Sequence, residues 1–181
     1  MCSSDLAGLV QTQSAKPLWL IVPRHPQRFD AVAQLLIGTG LQVARRSAWA
    51  NTPPAQALTA DAWLGDSMGE MAQYYALADV ALLGGSFAPL GGQNLIEAIA
   101  YGCPVVMGPH TFNFDEAART AQEQGAALRA TDMQAAVGQA LGLLGAAEQR
   151  AAMQTKGLAW LDESRGAAAR TAQAIADVLT R

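Results

Sequence analysis

Charge, cysteine and long apolar runs are all scarce in this 181-residue sequence. Only 15% of its residues are charged, and 12 basic against 15 acidic residues leave a formal net charge of −3. The few arginines are scattered, so the sequence lacks the basic field that holds a polyanion, and we expect no nucleic-acid partner. The chain is nevertheless 51% hydrophobic. That composition excludes intrinsic disorder and predicts a folded core.

The two cysteines, Cys2 and Cys103, lie far apart in the sequence and lack metal-ligand spacing. They predict neither a disulfide framework nor a zinc site, so we expect no bound metal and a reducing compartment. No segment reaches the roughly 18 uninterrupted apolar residues that a spanning helix needs. The best candidate, Val80–Leu90, is interrupted by glycine and proline. We therefore expect no membrane span in this chain.

Residues 1–16 lack a basic region followed by a long apolar stretch, so they do not resemble a signal peptide. We expect them to be a non-native or disordered lead, and the chain to be one half of a larger protein. A chain of this length buries roughly 70% of its unfolded surface, which suits one domain. The sequence thus predicts a single domain over residues 17–181.

Short apolar runs alternate with segments of helical periodicity. Strands are predicted at 17–23, 41–46, 62–65, 79–84, 104–108 and 126–129. Helices are predicted at 27–37, 69–78, 93–101, 113–124 and from 132 to the end, with an irregular connection over 47–61. This alternation predicts an α/β fold with a doubly wound parallel sheet. Its ligand would lie beyond the carboxyl ends of the strands.

The most informative segment is the loop Gly84–Glu97, which joins a predicted buried strand to a helix and holds four glycines. Gly91 and Gly92 would let the backbone approach a ligand and leave the next amides free to point at an anion such as phosphate. Asn94 and Glu97 lie three residues apart, so both can face that ligand, and the carboxylate can accept two ribose hydroxyls. The alternative is that the glycines serve only the turn and Glu97 only the helix dipole.

Other loops follow predicted strands at the same edge of the sheet. Arg24 can form paired hydrogen bonds to a carboxylate or phosphate, and the adjacent His25 is either a ligand contact or a surface residue. Ser67 and Glu70 stand at the spacing of a helix cap, and capping alone would explain both. Phe112 could close over a base or simply pack.

Signatures of several other sites are missing. The G-x-G-x-x-G fingerprint is absent after the first predicted strand, and no Walker lysine follows a glycine pair. No Ser-His-Asp order or H-E-x-x-H motif stands out, and the last third of the chain offers no candidate chemistry. These absences count against a dinucleotide site, a P-loop and a hydrolytic triad.

Taken in order, five motifs resemble one family, the bacterial 3-deoxy-D-manno-octulosonic acid (Kdo) transferases, glycosyltransferases that transfer Kdo from CMP-Kdo to the lipid A precursor. The motifs are Arg24-His25-Pro26, Leu64–Met71, Gly84–Phe87, Gly91–Glu97, and Gly108-Pro109-His110 with Asn113-Phe114. Over about residues 18–121 the chain is similar to the carboxy-terminal domain of that enzyme.

The resemblance implies a GT-B fold, in which two Rossmann-like domains face each other and the carboxy-terminal one holds the nucleotide sugar. This chain would be that domain alone, lacking the amino-terminal domain that carries the acceptor region and the catalytic base. We therefore expect it to bind CMP-Kdo without transferring Kdo, and to contain no catalytic residue. The full-length enzyme would act in lipopolysaccharide biosynthesis, in the cytoplasm at the cytoplasmic face of the inner membrane, on the lipid A precursor lipid IVA.

The resemblance also assigns donor contacts by motif. The expected donor-binding residues are Arg24, His25, Gly65, Ser67, Met68, Gly69, Gly84, Gly85, Ser86, Gly91, Gly92, Gln93, Asn94 and Glu97. Arg24 would bind the Kdo carboxylate or the phosphate, Glu97 the ribose, and the amides near Gly91 the leaving phosphate. Transfer would proceed with inversion, without a metal and without a cofactor besides the donor substrate.

One position departs from the family pattern: Gln93 stands where the family usually has histidine. Glutamine keeps one donor group and one acceptor but carries no charge, so a purely hydrogen-bonding role would survive the change. Two alternative functions stay open. The chain could be the donor-binding half of another GT-B enzyme that uses a UDP-sugar, or a nucleotide-binding module without catalysis.

Overall fold

A computed structural model describes residues 16–179; residues 1–15, 180 and 181 lie outside the described part. The predicted lead over 1–16 thus falls almost wholly outside the described residues. The chain divides into two compact units, with the boundary between Ala78 and Asp79. The single domain over 17–181 stays a prediction, and each unit is described by itself.

The first unit is a small parallel sheet with helices between its strands. Its elements are β1 (Trp19–Ile21), α1 (Phe29–Gly38), β2 (Val43–Arg45), β3 (Ala62–Leu64) and α2 (Met71–Leu77). The strand order is β1-β3-β2, and Ala62 lies opposite both Trp19 and Val43. The apolar stripe of α1 packs against the sheet and forms a core of Val32, Ala33, Leu36, Leu41 and Leu64.

The predicted irregular connection between β2 and β3 is confirmed. It contains two short 3-10 turns, Arg46–Ala48 and Ala55–Thr59, but neither an α-helix nor a strand. The indole nitrogen of Trp63 donates to the Ala57 carbonyl at 2.7 Å, and the ring of Trp49 meets that of Trp63 edge to face at 4.7 Å between centroids. A strand residue therefore holds the connection against its own sheet.

The second unit repeats the same plan with longer helices. Its elements are β4 (Ala81–Leu83), α3 (Leu95–Ala100), β5 (Val105–Met107), α4 (Asp115–Glu123), β6 (Ala127–Arg129), α5 (Met133–Gly145) and α6 (Ala147–Leu179). The strands are parallel in the order β4-β5-β6, and all three residues of the central strand β5 are fully buried. A core cluster beneath the helices comprises Val106, Ala130, Ala136, Leu143 and Met153.

The predicted α/β class with parallel strands is confirmed, and its hydrogen bonds group the six strands into two sheets of three. Every predicted helix and strand within residues 16–179 is present, with strands of three residues that are shorter than predicted. Prolines flank several strands, such as Pro23 and Pro104, and a proline cannot donate to a ladder, which shortens the pairing. Among the described helices, none combines the length and the apolar character needed to cross a bilayer.

Candidate functional site

In the second unit, a buried serine joins the loops that follow β4 and β5. Ser86 lies in a 3-10 turn, Gly84–Phe87, and is fully buried. Its hydroxyl donates to the Leu83 carbonyl at 2.5 Å and accepts from the Gly108 amide at 2.7 Å, while its carbonyl accepts from the His110 amide at 2.9 Å. A β-carbon on Gly108 would lie 2.5 Å from the Ser86 carbonyl oxygen, so this close contact requires glycine. The hydroxyl thus serves the fold, and its contact with a donor stays a prediction.

The glycine pair 91–92 packs against the loop after β5. Gly91 and Gly92 have φ angles of 86° and 81°, a region that other residues rarely adopt. A β-carbon on Gly91 would lie 2.2 Å from the Asn113 side-chain nitrogen, and one on Gly92 would lie 3.2 Å from the His110 carbonyl oxygen. The Asn113 amide also donates to the Gly91 carbonyl at 3.1 Å. The turn interpretation of these glycines therefore has a structural basis, because the backbone they approach closely is this loop.

The same turn leaves three consecutive amides unpaired. Among residues 16–179, the backbone N–H groups of Gly91, Gly92 and Gln93 have no hydrogen-bond acceptor. Gly91 and Gly92 are buried residues and Gln93 is partly buried. Backbone N–H groups removed from water are rarely left without an acceptor in folded proteins. Successive N–H groups in a loop form a concave site for an anion. The turn and ligand interpretations are thus compatible: the glycines shape the turn, and the turn presents the amides.

The polar side chains after this turn differ in how many hydrogen bonds they make within the described structure. Gln93 accepts a hydrogen bond from the Gly85 amide at 3.3 Å through its side-chain oxygen, which leaves its NH₂ group to donate. Asn94 caps α3, since its side-chain oxygen accepts from the Ile96 amide at 3.1 Å. Glu97 is exposed in the first turn of α3 and has no polar partner in the described part of the chain. Glu97 is therefore the carboxylate that a ligand can reach without breaking an internal contact.

Several of the predicted site residues in the first unit are exposed and unengaged. Arg24 and His25 follow β1, and neither side chain has a hydrogen bond or ion pair within residues 16–179. Met68 follows the adjacent strand β3 and is 69% exposed, and Gly69 has a φ of 81° with open space around it. Since β1 and β3 are parallel neighbours, their following loops leave the sheet at the same edge. The first unit therefore brings the two predicted loops to one edge.

A buried carboxylate that the sequence analysis did not single out organises that edge. The side chain of Asp66 is fully buried and accepts from the Arg45 Nε at 2.6 Å and from the Ser47 amide and hydroxyl at 2.8 and 2.7 Å. Burial alone raises the pKa of a carboxyl, but the hydrogen bonds from Ser47 and Arg45 outweigh it and hold the pKa of Asp66 below its ordinary value. The available signal was an acidic residue directly after a strand, with an arginine ending a neighbouring strand.

Ser67 is engaged differently from the predicted cap. Its hydroxyl donates to the carboxylate of Glu70 and lies 2.8 Å from the hydroxyl of Tyr74, which also donates to Glu70 at 3.0 Å. Arg46 pairs with the same carboxylate at 2.7 Å. The hydrogen bond from Ser67 is the main cause that lowers the pKa of Glu70. The capping interpretation is wrong, because Ser67 bonds a carboxylate, and Glu70, the residue at the cap position of α2, makes no side-chain cap bond.

Packing against an aromatic ring explains Gly65. A β-carbon there would lie 2.9 Å from the ring of Tyr74 and 3.0 Å from a methyl of Val22. The Gly65 amide donates to the Ile21 carbonyl at 2.8 Å, which extends the pairing of β1 with β3 by one residue. Glycine at this position is therefore needed for packing, and its predicted contact with a donor stays a prediction.

Arg129 is the second residue that the sequence analysis missed. From the end of β6 its guanidinium donates to the Gly108 carbonyl at 2.9 Å, to the Thr111 hydroxyl at 3.2 Å from both terminal nitrogens, and to the Gln122 side-chain oxygen at 3.0 Å. Only its place at the carboxyl end of a strand could have signalled it. It holds the loop on which Gly91 and Gly92 rest.

Two curated relatives of this chain are enzymes of the same name. The chain is 54% identical over 178 residues to the 3-deoxy-D-manno-octulosonic acid transferase of Bordetella pertussis, a match that covers 97% of this chain and 41% of the relative. It is 39% identical over 165 residues to the enzyme of the same name from Haemophilus influenzae, covering 91% and 38%. The chain therefore spans about two fifths of the length of these curated relatives. No family model matches it.

A solved structure agrees with these sequence matches. The crystal structure of the C-terminal CMP-Kdo binding domain of WaaA from Acinetobacter baumannii superposes with a TM-score of 0.69 at 28% sequence identity. The match covers 86% of this chain and 97% of that domain. The resemblance found from the five motifs is thereby confirmed.

Proposed function

Since this chain is a homologue of the carboxy-terminal part of the Kdo transferases, we propose that it is the donor-binding domain of such a glycosyltransferase and binds CMP-Kdo. The name of the Acinetobacter baumannii domain supports the choice of donor. The identity to the Bordetella pertussis enzyme supports the reaction class.

The unpaired amides of Gly91, Gly92 and Gln93 carry the proposal. A phosphate has negatively charged oxygens that accept several hydrogen bonds at once, and three adjacent unpaired N–H groups on one turn match that requirement. The free NH₂ group of Gln93 adds a further donor beside them. A neutral donor suffices at this position, because the charge of the phosphate is already met by oriented backbone dipoles. The glutamine in place of the usual histidine is therefore compatible with donor binding.

We assign the remaining contacts to groups without internal partners. Arg24 is exposed, and its forked guanidinium suits the Kdo carboxylate or the phosphate. Glu97 is exposed on the first turn of α3 and suits two ribose hydroxyls. Both assignments use side chains that can bind without giving up a contact in the described structure.

In the transfer reaction, the acceptor oxygen would displace CMP from the anomeric carbon of Kdo with inversion. The negative charge that develops on the leaving phosphate would be stabilised by the amides, which are oriented before the reaction starts. The amino-terminal part of the full enzyme would supply the catalytic base and bind the acceptor, which is the lipid A precursor. The enzyme would act at the cytoplasmic face of the inner membrane. The chain alone would bind donor without turnover, and we expect the step to need no metal or further cofactor.

Calorimetric titration of the 181-residue chain with CMP, UMP and NAD in parallel tests the donor class. The proposal predicts that CMP binds at least about tenfold more tightly than UMP, a difference of about 1.4 kcal/mol. Preference for UMP would instead indicate a GT-B enzyme that uses a UDP-sugar, and preference for NAD would overturn the proposed family of ligands.

A further inference from the structure

We propose that Arg129 is a positioning residue for the donor phosphate, acting through the loop after β5; this inference rests on the proposed function. The guanidinium does not bond Gly91, Gly92 or Gln93. It bonds the Gly108 carbonyl and the Thr111 hydroxyl, the two ends of a four-residue segment.

That segment is the surface against which the amide-bearing turn rests. The His110 carbonyl oxygen and the Thr111 Cα lie 3.2 and 3.4 Å from the place where a β-carbon on Gly92 would stand. The Asn113 amide bonds the Gly91 carbonyl at 3.1 Å, and its side-chain NH₂ donates to the Leu90 carbonyl at 3.3 Å. A shift of the segment would therefore move the backbone of the turn with it.

Arginine is suited to this role because its planar fork can satisfy several acceptors in one fixed geometry. One terminal nitrogen bonds both Gly108 and Thr111, the other bonds Thr111, and Nε bonds Gln122 on α4. Thr111 is buried, so its hydroxyl depends on this partner. Three elements of the second unit, namely β6, α4 and the loop after β5, are thus joined by one side chain.

The functional consequence concerns preorganisation. Three amides bind a phosphate well only if the protein has already fixed their directions, because ordering them on binding costs affinity. Ser86 holds the start of the segment through the Gly108 amide. Arg129 holds the start through the Gly108 carbonyl and the end through the Thr111 hydroxyl. Loss of Arg129 should therefore weaken the part of the affinity that comes from the phosphate and leave the part that comes from the nucleoside.

The test compares CMP with cytidine, the same nucleoside without phosphate, by NMR titration of the 181-residue chain. The variants are Arg129→Gln, Arg129→Lys and Thr111→Val. The control is Arg119→Gln, since Arg119 is exposed and, among residues 16–179, pairs only with Glu123 on its own helix. We expect Arg129→Gln to weaken CMP binding about fivefold or more and to change cytidine binding less than about twofold. Lysine keeps the charge but lacks the fork, so Arg129→Lys should resemble Arg129→Gln.

Each outcome separates this inference from the proposed function. Unchanged CMP affinity in Arg129→Gln, equal loss of CMP and cytidine, or full rescue by lysine would overturn the positioning role. A wild-type chain that does not distinguish CMP from cytidine would overturn the phosphate site itself. If Arg129→Gln fails to fold, Thr111→Val carries the test, because it removes one acceptor and keeps the arginine; it should weaken CMP and spare cytidine.

Discussion

The Ser86 hydroxyl lies 2.7 Å from the Gly108 amide nitrogen and accepts its hydrogen bond in a fully buried position. This bond joins the carboxyl ends of β4 and β5, two neighbouring parallel strands. The loop after β4 carries the unpaired amides of residues 91–93, and the loop after β5 contains the segment 108–111 that they pack against. The geometry of the candidate phosphate site therefore depends on a serine that is itself inaccessible.

Replacing Ser86 by alanine should destabilise the fold. The substitution leaves the Gly108 amide buried without an acceptor, which costs about 1–3 kcal/mol. Urea unfolding at neutral pH measures the loss. Ser164→Ala is the control, because Ser164 is exposed and its hydroxyl donates to the Trp160 carbonyl of its own helix. This substitution should change stability by less than about 0.5 kcal/mol. Equal stabilities of the two variants would contradict a structural role for Ser86.

Replacing Gly92 by alanine should reduce stability as well as ligand binding. The residue has a φ of 81°, where a β-carbon costs about 1–2 kcal/mol, and the new atom would press on the His110 carbonyl. The matched control is Gly138→Ala in the interior of α5, where a β-carbon meets open space. That control should raise stability by about 0.5–1 kcal/mol. If both alanines changed the free energy of unfolding alike, the backbone at Gly92 would be unstrained.

Asp66 should make stability depend on pH in a defined window. Its pKa is lowered in the folded state, so its contribution is present above the ordinary carboxyl pKa of about 3.9 and is lost as the pH falls through the folded value. We expect Asp66→Asn to cost about 1–3 kcal/mol between pH 5 and 7, and the gap to the wild type to narrow below about pH 4.

Asp30→Asn is the control for this measurement. Asp30 pairs with the same Arg45 at 2.7 Å, but its side chain is 84% exposed, so the substitution should cost less than about 1 kcal/mol. Urea unfolding at pH 7, 5 and 3 gives both series. A constant difference between Asp66→Asn and the wild type over this range would show that the carboxylate charge is not what stabilises the loop.

Arg24→Ala and Glu97→Ala should weaken CMP-Kdo binding. Both side chains are exposed and lack partners among residues 16–179, so the free energy of unfolding should stay within about 0.5 kcal/mol of the wild type. Arg28→Ala and Glu116→Ala are controls of the same charge at exposed positions of the two units. Affinity for the donor, measured by calorimetry, should fall only in the first pair. Equal affinity in all four variants would remove both ligand assignments.

Local patterns explain how much of the fold could be predicted. The buried strand β5 is a continuous apolar run after Pro104, and α1 carries its apolar residues at helical spacing before Gly38, so each element is visible in a few adjacent residues. The grouping of six strands into two sheets of three depends on pairings between distant segments, such as β1 with β3. No local pattern encodes these pairings.

In the candidate site too, residues marked by a local pattern could be predicted, and residues that depend on distant contacts could not. Glycine clusters mark Gly91 and Gly92 in the sequence, and their positive φ angles follow from that composition. Arg129 and Asp66 could not be assigned, because most of their partners lie 18 to 21 residues away along the chain and are brought near only by the fold. Gln122, seven residues from Arg129, is the exception. The role of Ser67 was misread for a related reason. Its spacing to Glu70 fits a cap, whereas the nearby Tyr74 and Arg46 draw both side chains into one cluster.

An amide-resolved NMR titration of the 181-residue chain with CMP tests whether the amides of Gly91, Gly92 and Gln93 bind the phosphate of a cytidine nucleotide. We expect saturable shifts of these three backbone signals with CMP, weaker shifts with UMP, and little change at Gly138 on α5. Saturable CMP binding that leaves the three signals in place, or larger shifts with UMP than with CMP, would contradict this assignment.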